Sequence, residues 1–308
     1  MNTAKPETSQ SLNKRFGASS QISFTEGPGG LVVADLVSPS GKARVALLGG
    51  HVLEFQPAAE DPVLFTSQES YYAVGKEIRG GIPVCFPWFG RHEEHPEAPG
   101  HGFVRTALWE VRSTRILSGG IPQIILGISD QQAISPIFPY PYDAEITVEV
   151  SDSLRTMLSV RNPGKQPFQV TCALHTYFAI SDIRQVSISG LEGVDYLDKV
   201  ENFKRKTQAG KVTFSSETDR VYLDTTSTCS IHDPGLHRYI HVAKNGSHTT
   251  VVWNPWIEKA IRMPDFGNDE YLRMVCVETA NAANDVVVIA PGEAHHLTAE
   301  IWVERSQD

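Results

Sequence analysis

Apolar and polar positions alternate without a break along AEITVEV, residues 144–150. Ala144, Ile146, Val148 and Val150 fall on one face, and Glu145, Thr147 and Glu149 on the other. A period of two marks a half-buried strand. The next residues, SDS, read as a turn into LRTMLSVRN, whose Leu154, Leu158 and Val160 share a face. The two runs predict a hairpin that ends at an Asn-Pro-Gly turn, Asn162–Gly164. KARVALL, HVLEFQ, ALWEVRS, PQIILGIS, KVTFSS, RYIHVAK, TTVVWN, NDVVVIA and HHLTAEIWVE are runs of the same kind, most of them separated by Gly, Pro, Asn or Asp. Helical periodicity is scarce, and NDEYLRM, Asn268–Met274, is its best short candidate. No internal repeat breaks the chain into units. Many short strands without alternating helices predict an all-β fold, one large antiparallel β-sandwich or barrel. Residues 1–18 are polar and are expected to fray, leaving residues 19–308 as a single domain.

Composition narrows the partners. The chain has 308 residues, 41% of them hydrophobic, enough for a large core. A net charge of −9 argues against nucleic acid or an anionic membrane surface as partner. An anionic ligand would therefore need a few local Arg or Lys working against the overall field. Cys85, Cys172, Cys229 and Cys276 are far apart, without a CxxC pair, and read as reduced thiols. The opening MNTAKPETSQSLNKRFG has no apolar run of the signal-peptide kind, and no segment approaches the length of a membrane span. A cytoplasmic monomer is the expectation.

Several catalytic signatures fail. HEEH, His92–His95, is not HExxH, because Pro96 stands where the second histidine would be. There is no P-loop, no GxSxG, and no GxGxxG after a strand. Three stretches remain. VTCALHTYFAI, Val170–Ile180, reads as one strand with Val170, Cys172, Leu174, Thr176, Phe178 and Ile180 on a core face. Its other face carries His175 and Tyr177 among the small residues Thr171, Ala173 and Ala179. Such a face suits the floor of a cleft, although His175 taken alone reads first as a hydrogen-bonded core histidine. In RMVCVETAN, Glu278 is a lone carboxylate after an apolar run. Burial there raises a carboxyl pKa, so Glu278 is either a structural ion-pair partner or a tuned acid or base. In PGHGFVRTALWEV, His101 and Arg105 stand at the entry to a strand. The segment EIRGGIPVCFPWFG, Glu77–Gly90, sets one arginine, Arg79, at the mouth of an apolar run. Gly80 and Gly81 would allow backbone and ligand to approach closely, and Pro83, Phe86, Pro87 and Trp88 would stiffen the wall behind.

Taken in order, IRGGIPVCFPWFG, HGFVRTALWEV, LHTYF, LEGVDYLDK, ETDRVY, VVWNPW and MVCVETAN resemble the aldose 1-epimerase superfamily, and within it the hexose-6-phosphate mutarotase branch, the glucose-6-phosphate 1-epimerases. The resemblance runs from about residue 40 to residue 303. It implies an antiparallel β-sandwich with an open sugar cleft, and interconversion of α and β anomers of a sugar phosphate without metal or other cofactor. It places His175 as general acid and Glu278 as general base. Arg79 and Arg105 would hold the substrate, through its phosphate. Asp219 would contact the sugar, and His101 would steady it. Gly100 stands before His101 where some relatives carry a polar side chain, a difference that bears on sugar selectivity. Three alternatives stay open: a mutarotase for unphosphorylated aldoses, a non-catalytic carbohydrate-binding protein, and a glycosidase, which would want a second carboxylate beside the scissile bond.

Overall fold

The computed structural model describes residues 7–18 and 20–306. Two eight-stranded sheets dominate it, and every strand pairing within them is antiparallel. One runs in the order Lys204–Thr207, Asp195–Asp198, Thr218–Tyr222, Thr249–Asn254, Met274–Asn281, Cys172–Leu174 and Val84–Cys85, with Tyr177–Ala179 also paired to Met274–Asn281. The other runs Ser187–Ser189, Cys229–Asp233, Arg238–Asn245, Ala294–Arg305, Ser153–Arg161, Asp143–Val150, Ile121–Ser129 and Glu110–Leu117. A four-stranded meander, from Ile22–Glu26 to His51–Pro57, completes the architecture with the short pair Phe168–Val170 and Val287–Ile289.

Alternation explains how these sheets meet. Leu174, Phe178, Val252, Val275 and Val277 from the first sheet share one buried cluster with Ile146, Leu158, Leu297 and Ile301 from the second. Each such side chain contributes roughly 1.5–3 kcal/mol on burial. The predicted hairpin is present, with Asp143–Val150 paired to Ser153–Arg161 across the SDS turn. At its far end Asn162 is fully buried. Its amide donates to the carbonyls of Gln166 and Ile289 and accepts from Gly164 N–H, which fixes the Asn-Pro-Gly turn.

Three local expectations change. Ser9–Phe16 is an α-helix, capped by Thr8, inside the segment expected to fray; residues 1–6 of that segment lie outside the described residues. Leu12 is fully buried, and Asn13 exchanges two hydrogen bonds with the backbone of Phe24, at 2.7 and 2.8 Å, as a neighbouring strand would. NDEYLRM supplies only a single 3₁₀ turn, Glu270–Arg273. An α-helix forms instead at Trp256–Arg262, started where Asn254 Oδ1 accepts from Trp256 N–H. Among the described residues no helix is long and apolar enough to cross a membrane.

Docking of the N-terminal helix has a measurable consequence. Leu12→Ala empties a buried site and should cost about 2–5 kcal/mol of stability, read from denaturant unfolding. A change close to zero would mean the helix adds nothing to the folded domain.

Candidate active site

The outer face of the first sheet is built in cross-strand rows. Asp219 lies opposite Trp253, Trp253 opposite Cys276, and Cys276 opposite Tyr177. In the next row Val221 faces Val251, and Val251 faces Glu278. Beyond it Ala280 faces Ala173, which faces Cys85. Small residues thus floor one end of the face, and the polar groups stand in the two rows beside them.

The run expected as one strand, Val170–Ile180, is three short strands. Thr171 N–H turns to Pro87 O, and His175 N–H turns to Pro83 O at 3.0 Å. The register nevertheless carries through. Leu174 pairs Thr279 and Tyr177 pairs Cys276, so His175 comes to the level of Glu278. Its Nε2 lies 3.4 Å from Glu278 Oε1. The imidazole stacks on the Tyr177 ring, 4.9 Å between centroids, and meets Trp253 edge-on.

Both groups are buried and sparsely bonded. Glu278 Oε2 and His175 Nδ1 have no hydrogen-bond partner among the described residues. Burial holds the Glu278 carboxyl well above its usual range; Lys199 opposes this and Asp219 adds to it. Burial holds the His175 imidazole well below its usual range, helped by the charges of Arg105 and Arg79. The favoured resting state is a protonated carboxyl facing a neutral imidazole: one proton for two groups.

His101 is the third member. It has φ +62°. Its Nδ1 accepts from Gly90 N–H at 3.3 Å, so the neutral ring carries its proton on Nε2. Its ring centre lies 5.4 Å from that of His175, and burial keeps it, too, well below the usual histidine range.

These groups open onto a cleft of about 900 Å³, whose lining includes all six residues singled out from the sequence: Arg79, His101, Arg105, His175, Asp219 and Glu278. The arginines are not bare. Arg79 donates to Asp265 Oδ2 through Nε and Nη2, at 3.1 and 2.9 Å, to Tyr177 Oη at 3.2 Å, and to Glu77 Oε1 at 2.8 Å. Arg105 donates to Gly100 O and pairs with Glu77 Oε2. Asp219 is held by Lys199 at 3.0 Å and approached by Lys259 at 3.9 Å.

Glu77, Asp265, Lys199 and Lys259 carry no signal in the sequence that marks them as partners. Arg79 and Asp265 are 186 residues apart. The glycines beside Arg79 meet the backbone half of the expectation. A Cβ on Gly80 would lie 2.4 Å from Phe65 O, and one on Gly81 2.2 Å from Val52 O. They admit neighbouring backbone rather than ligand. Phe86 and Trp88 do belong to the core behind the cleft.

His175, Cys276 and Glu278 bring ligand atoms within 4.8 Å of one another, the one such group among the described residues. Burial keeps the Cys276 thiol protonated, and the Arg79 and Arg105 guanidiniums act on the same site. A set that holds its protons beside two fixed cations suits proton exchange better than a divalent ion.

The chain belongs to the aldose 1-epimerase family, whose model matches residues 35–302. It falls in the epimerase and mutarotase class of isomerases. It is 35% identical over 266 residues to an Escherichia coli K12 protein named "Putative glucose-6-phosphate 1-epimerase", covering 86% of this chain and 87% of that one. A Cenchrus ciliaris protein of the same name is 35% identical over 262 residues, 82% of this chain and 78% of its own. A crystal structure of a "putative mutarotase" from Salmonella typhimurium superposes with a TM-score of 0.87 at 30% identity, over 94% of this chain and 96% of that one. The expected galactose mutarotase-like antiparallel sandwich is the fold observed.

The raised Glu278 carboxyl links the site to stability. Its folded pKa lies above the unfolded value near 4.5. Its contribution is therefore fully present below that pH and is lost as pH rises through the folded pKa. Glu278→Gln, neutral at every pH, escapes this loss. Its stability relative to wild type should rise from acidic to mildly alkaline pH, as read by thermal melts at matched ionic strength. A pH-independent difference would mean the carboxyl is not destabilised by burial.

Proposed function

We propose that the protein interconverts the α and β anomers of a hexose 6-phosphate, with glucose 6-phosphate the first candidate. The observation that carries this reading is the 3.4 Å approach of His175 Nε2 to Glu278 Oε1 in a buried cleft. Anomer exchange moves protons at O1 and at the ring oxygen O5, two atoms bonded to the same carbon. An acid and a base that serve them must stand side by side. A glycosidase, by contrast, sets two carboxyl groups about 5–9.5 Å apart across a bond.

In the reaction, the O1 proton goes to the base as the C1–O5 pair of electrons moves to O5, which takes a proton from the acid. C1 becomes an aldehyde carbon, rotates about C1–C2, and is attacked by the O5 hydroxyl on its other face. The two groups then exchange roles, and no proton is gained or lost overall. Glu278 serves as base and His175 as acid in the opening step. Burial favours the opposite placement of their single proton, so substrate binding must ease Glu278 toward ionisation. Hydrogen bonds from sugar hydroxyls to Oε2, which has no partner among the described residues, act in that direction. His101, with its Nε2–H, is placed to donate to a sugar oxygen.

Arg79 and Arg105 support the phosphate part of the reading, since a guanidinium pair offers planar forks to phosphate oxygens. One observation favours the unphosphorylated-aldose reading instead: Glu77 and Asp265 already balance both arginine charges.

Three measurements test the reading, and the last separates the two substrate classes. Glu278→Gln and His175→Ala should each lower kcat for anomer equilibration by about 10²-fold or more. Wild-type kcat/KM should be bell-shaped in pH, because only the one-proton form of the pair is active, and its limbs belong to the pair jointly. Near-normal turnover in either variant would remove that residue from the chemistry. Arg105→Ala should reduce kcat/KM for glucose 6-phosphate by roughly 10- to 150-fold, the value of one charge-assisted hydrogen bond, with a much smaller effect on glucose. Equal losses on both sugars would favour the unphosphorylated aldose.

A further inference from the structure

Glu77 has a position that anomer chemistry does not explain. Its two carboxylate oxygens go to two different guanidiniums: Oε1 accepts from Arg79 Nη2 at 2.8 Å, and Oε2 pairs with Arg105 Nη2. A phosphate group bound between the same arginines would offer the same two-oxygen bridge. We propose that Glu77 holds the position in the cleft that a substrate phosphate would take, and that the phosphate of an arriving ester displaces it. This rests on the reading that Arg79 and Arg105 receive the phosphate.

The two acidic partners of the arginines differ in a way that makes one fixed and the other exchangeable. The Asp265 side chain is 5% exposed and takes two hydrogen bonds from Arg79, through Nε and Nη2. Removing it from that contact would strand a buried carboxylate. The Glu77 side chain is 31% exposed and follows the exposed residues Ala73, Val74, Gly75 and Lys76. A change of rotamer can return its carboxylate to water, so the carboxylate itself is not stranded.

Arg105 gives the exchange its direction. Its residue is 8% exposed, and among the described residues its Nε has no partner and its guanidinium donates, besides Glu77, only to Gly100 O. If Glu77 left without replacement, a buried guanidinium would lose its counter-ion, which is strongly unfavourable. Departure of Glu77 and arrival of an anion are therefore coupled. A neutral aldose has no group that needs the fork, and binds with Glu77 in place. An ester must compete with it. Glu77 thereby sets affinity for the phosphorylated substrate class without touching the reacting carbon, and weakens the capture of free inorganic phosphate by the same competition.

The test titrates inorganic phosphate calorimetrically, at constant ionic strength, into wild type, Glu77→Gln, Glu77→Ala, Arg105→Ala and the Glu77→Gln/Arg105→Ala double variant. Thermal melts confirm folding, and KM for glucose 6-phosphate is measured in parallel. Both Glu77 variants should bind phosphate about tenfold more tightly than wild type, the scale of one charge-assisted pairing, with a lower KM for the ester. Arg105→Ala should weaken binding in either background. If the Glu77 variants bind phosphate no better than wild type while Arg105→Ala still weakens it, the arginines hold phosphate and Glu77 merely orients them, which overturns the proposal alone. If Arg105→Ala changes neither phosphate binding nor ester preference, the phosphate reading fails and the proposal with it.

Discussion

Glu278 and His175 meet because two strand segments keep one register across a gap in their hydrogen bonding. Cys172–Leu174 and Tyr177–Ala179 pair with Met274–Asn281 on either side of residues 175 and 176. The two intervening residues are free to turn their backbone elsewhere, and His175 does so toward Pro83. A sheet fixes the separation of opposite residues far more tightly than a loop would. The approach of acid to base is thus inherited from antiparallel pairing, and the rest of the site is arranged around it. A shift of register by one residue would put Glu278 into the apolar core occupied by Val275 and Val277.

The surrounding charges follow a consistent scheme. The chain carries a net −9, yet Arg79, Arg105, Lys199 and Lys259 converge on one cleft. Each has an acidic partner: Asp265 and Glu77 for the arginines, Asp219 and Glu217 for the lysines. Local pairing lets a strongly acidic protein keep cations inside a partly dry cleft. It also means that the charges felt by Glu278 oppose one another, Lys199 lowering its pKa and Asp219 raising it. Burial, not a single neighbouring charge, dominates the state of the catalytic pair.

How much of this can be read from the sequence depends on how local the cause is. Half-buried strands such as Asp143–Val150 announce themselves, because alternation is written in consecutive residues. His175 and Glu278 stand out for the same reason, as single polar groups within apolar runs, and the family resemblance supplies their roles. The interruption at residues 175–176 leaves no mark, since alternation of faces continues through it. Neither does the N-terminal helix: Leu12 and Phe16 are the two apolar side chains of its eight residues, a single i, i+4 pair and too little for a periodic stripe, and the contact of Asn13 with Phe24 is tertiary. Trp256–Arg262 is only seven residues long, too short for periodicity to identify. The partners of Arg79 and Arg105 are equally silent, because a carboxylate becomes a counter-ion only when folding brings it there.

One proton held between the raised Glu278 carboxyl and the lowered His175 imidazole is the state from which the chemistry starts. Its most direct measurement is NMR of protein labelled with ¹³C at glutamate carboxyls and ¹⁵N at histidine rings, with Glu278→Gln and His175→Ala used to assign the signals. At neutral pH without ligand, the Glu278 carbon should report a protonated carboxyl and the His175 ring a neutral imidazole. A carboxylate that titrates near its ordinary value of 4.5, or a His175 ring already doubly protonated at neutral pH, would contradict the account.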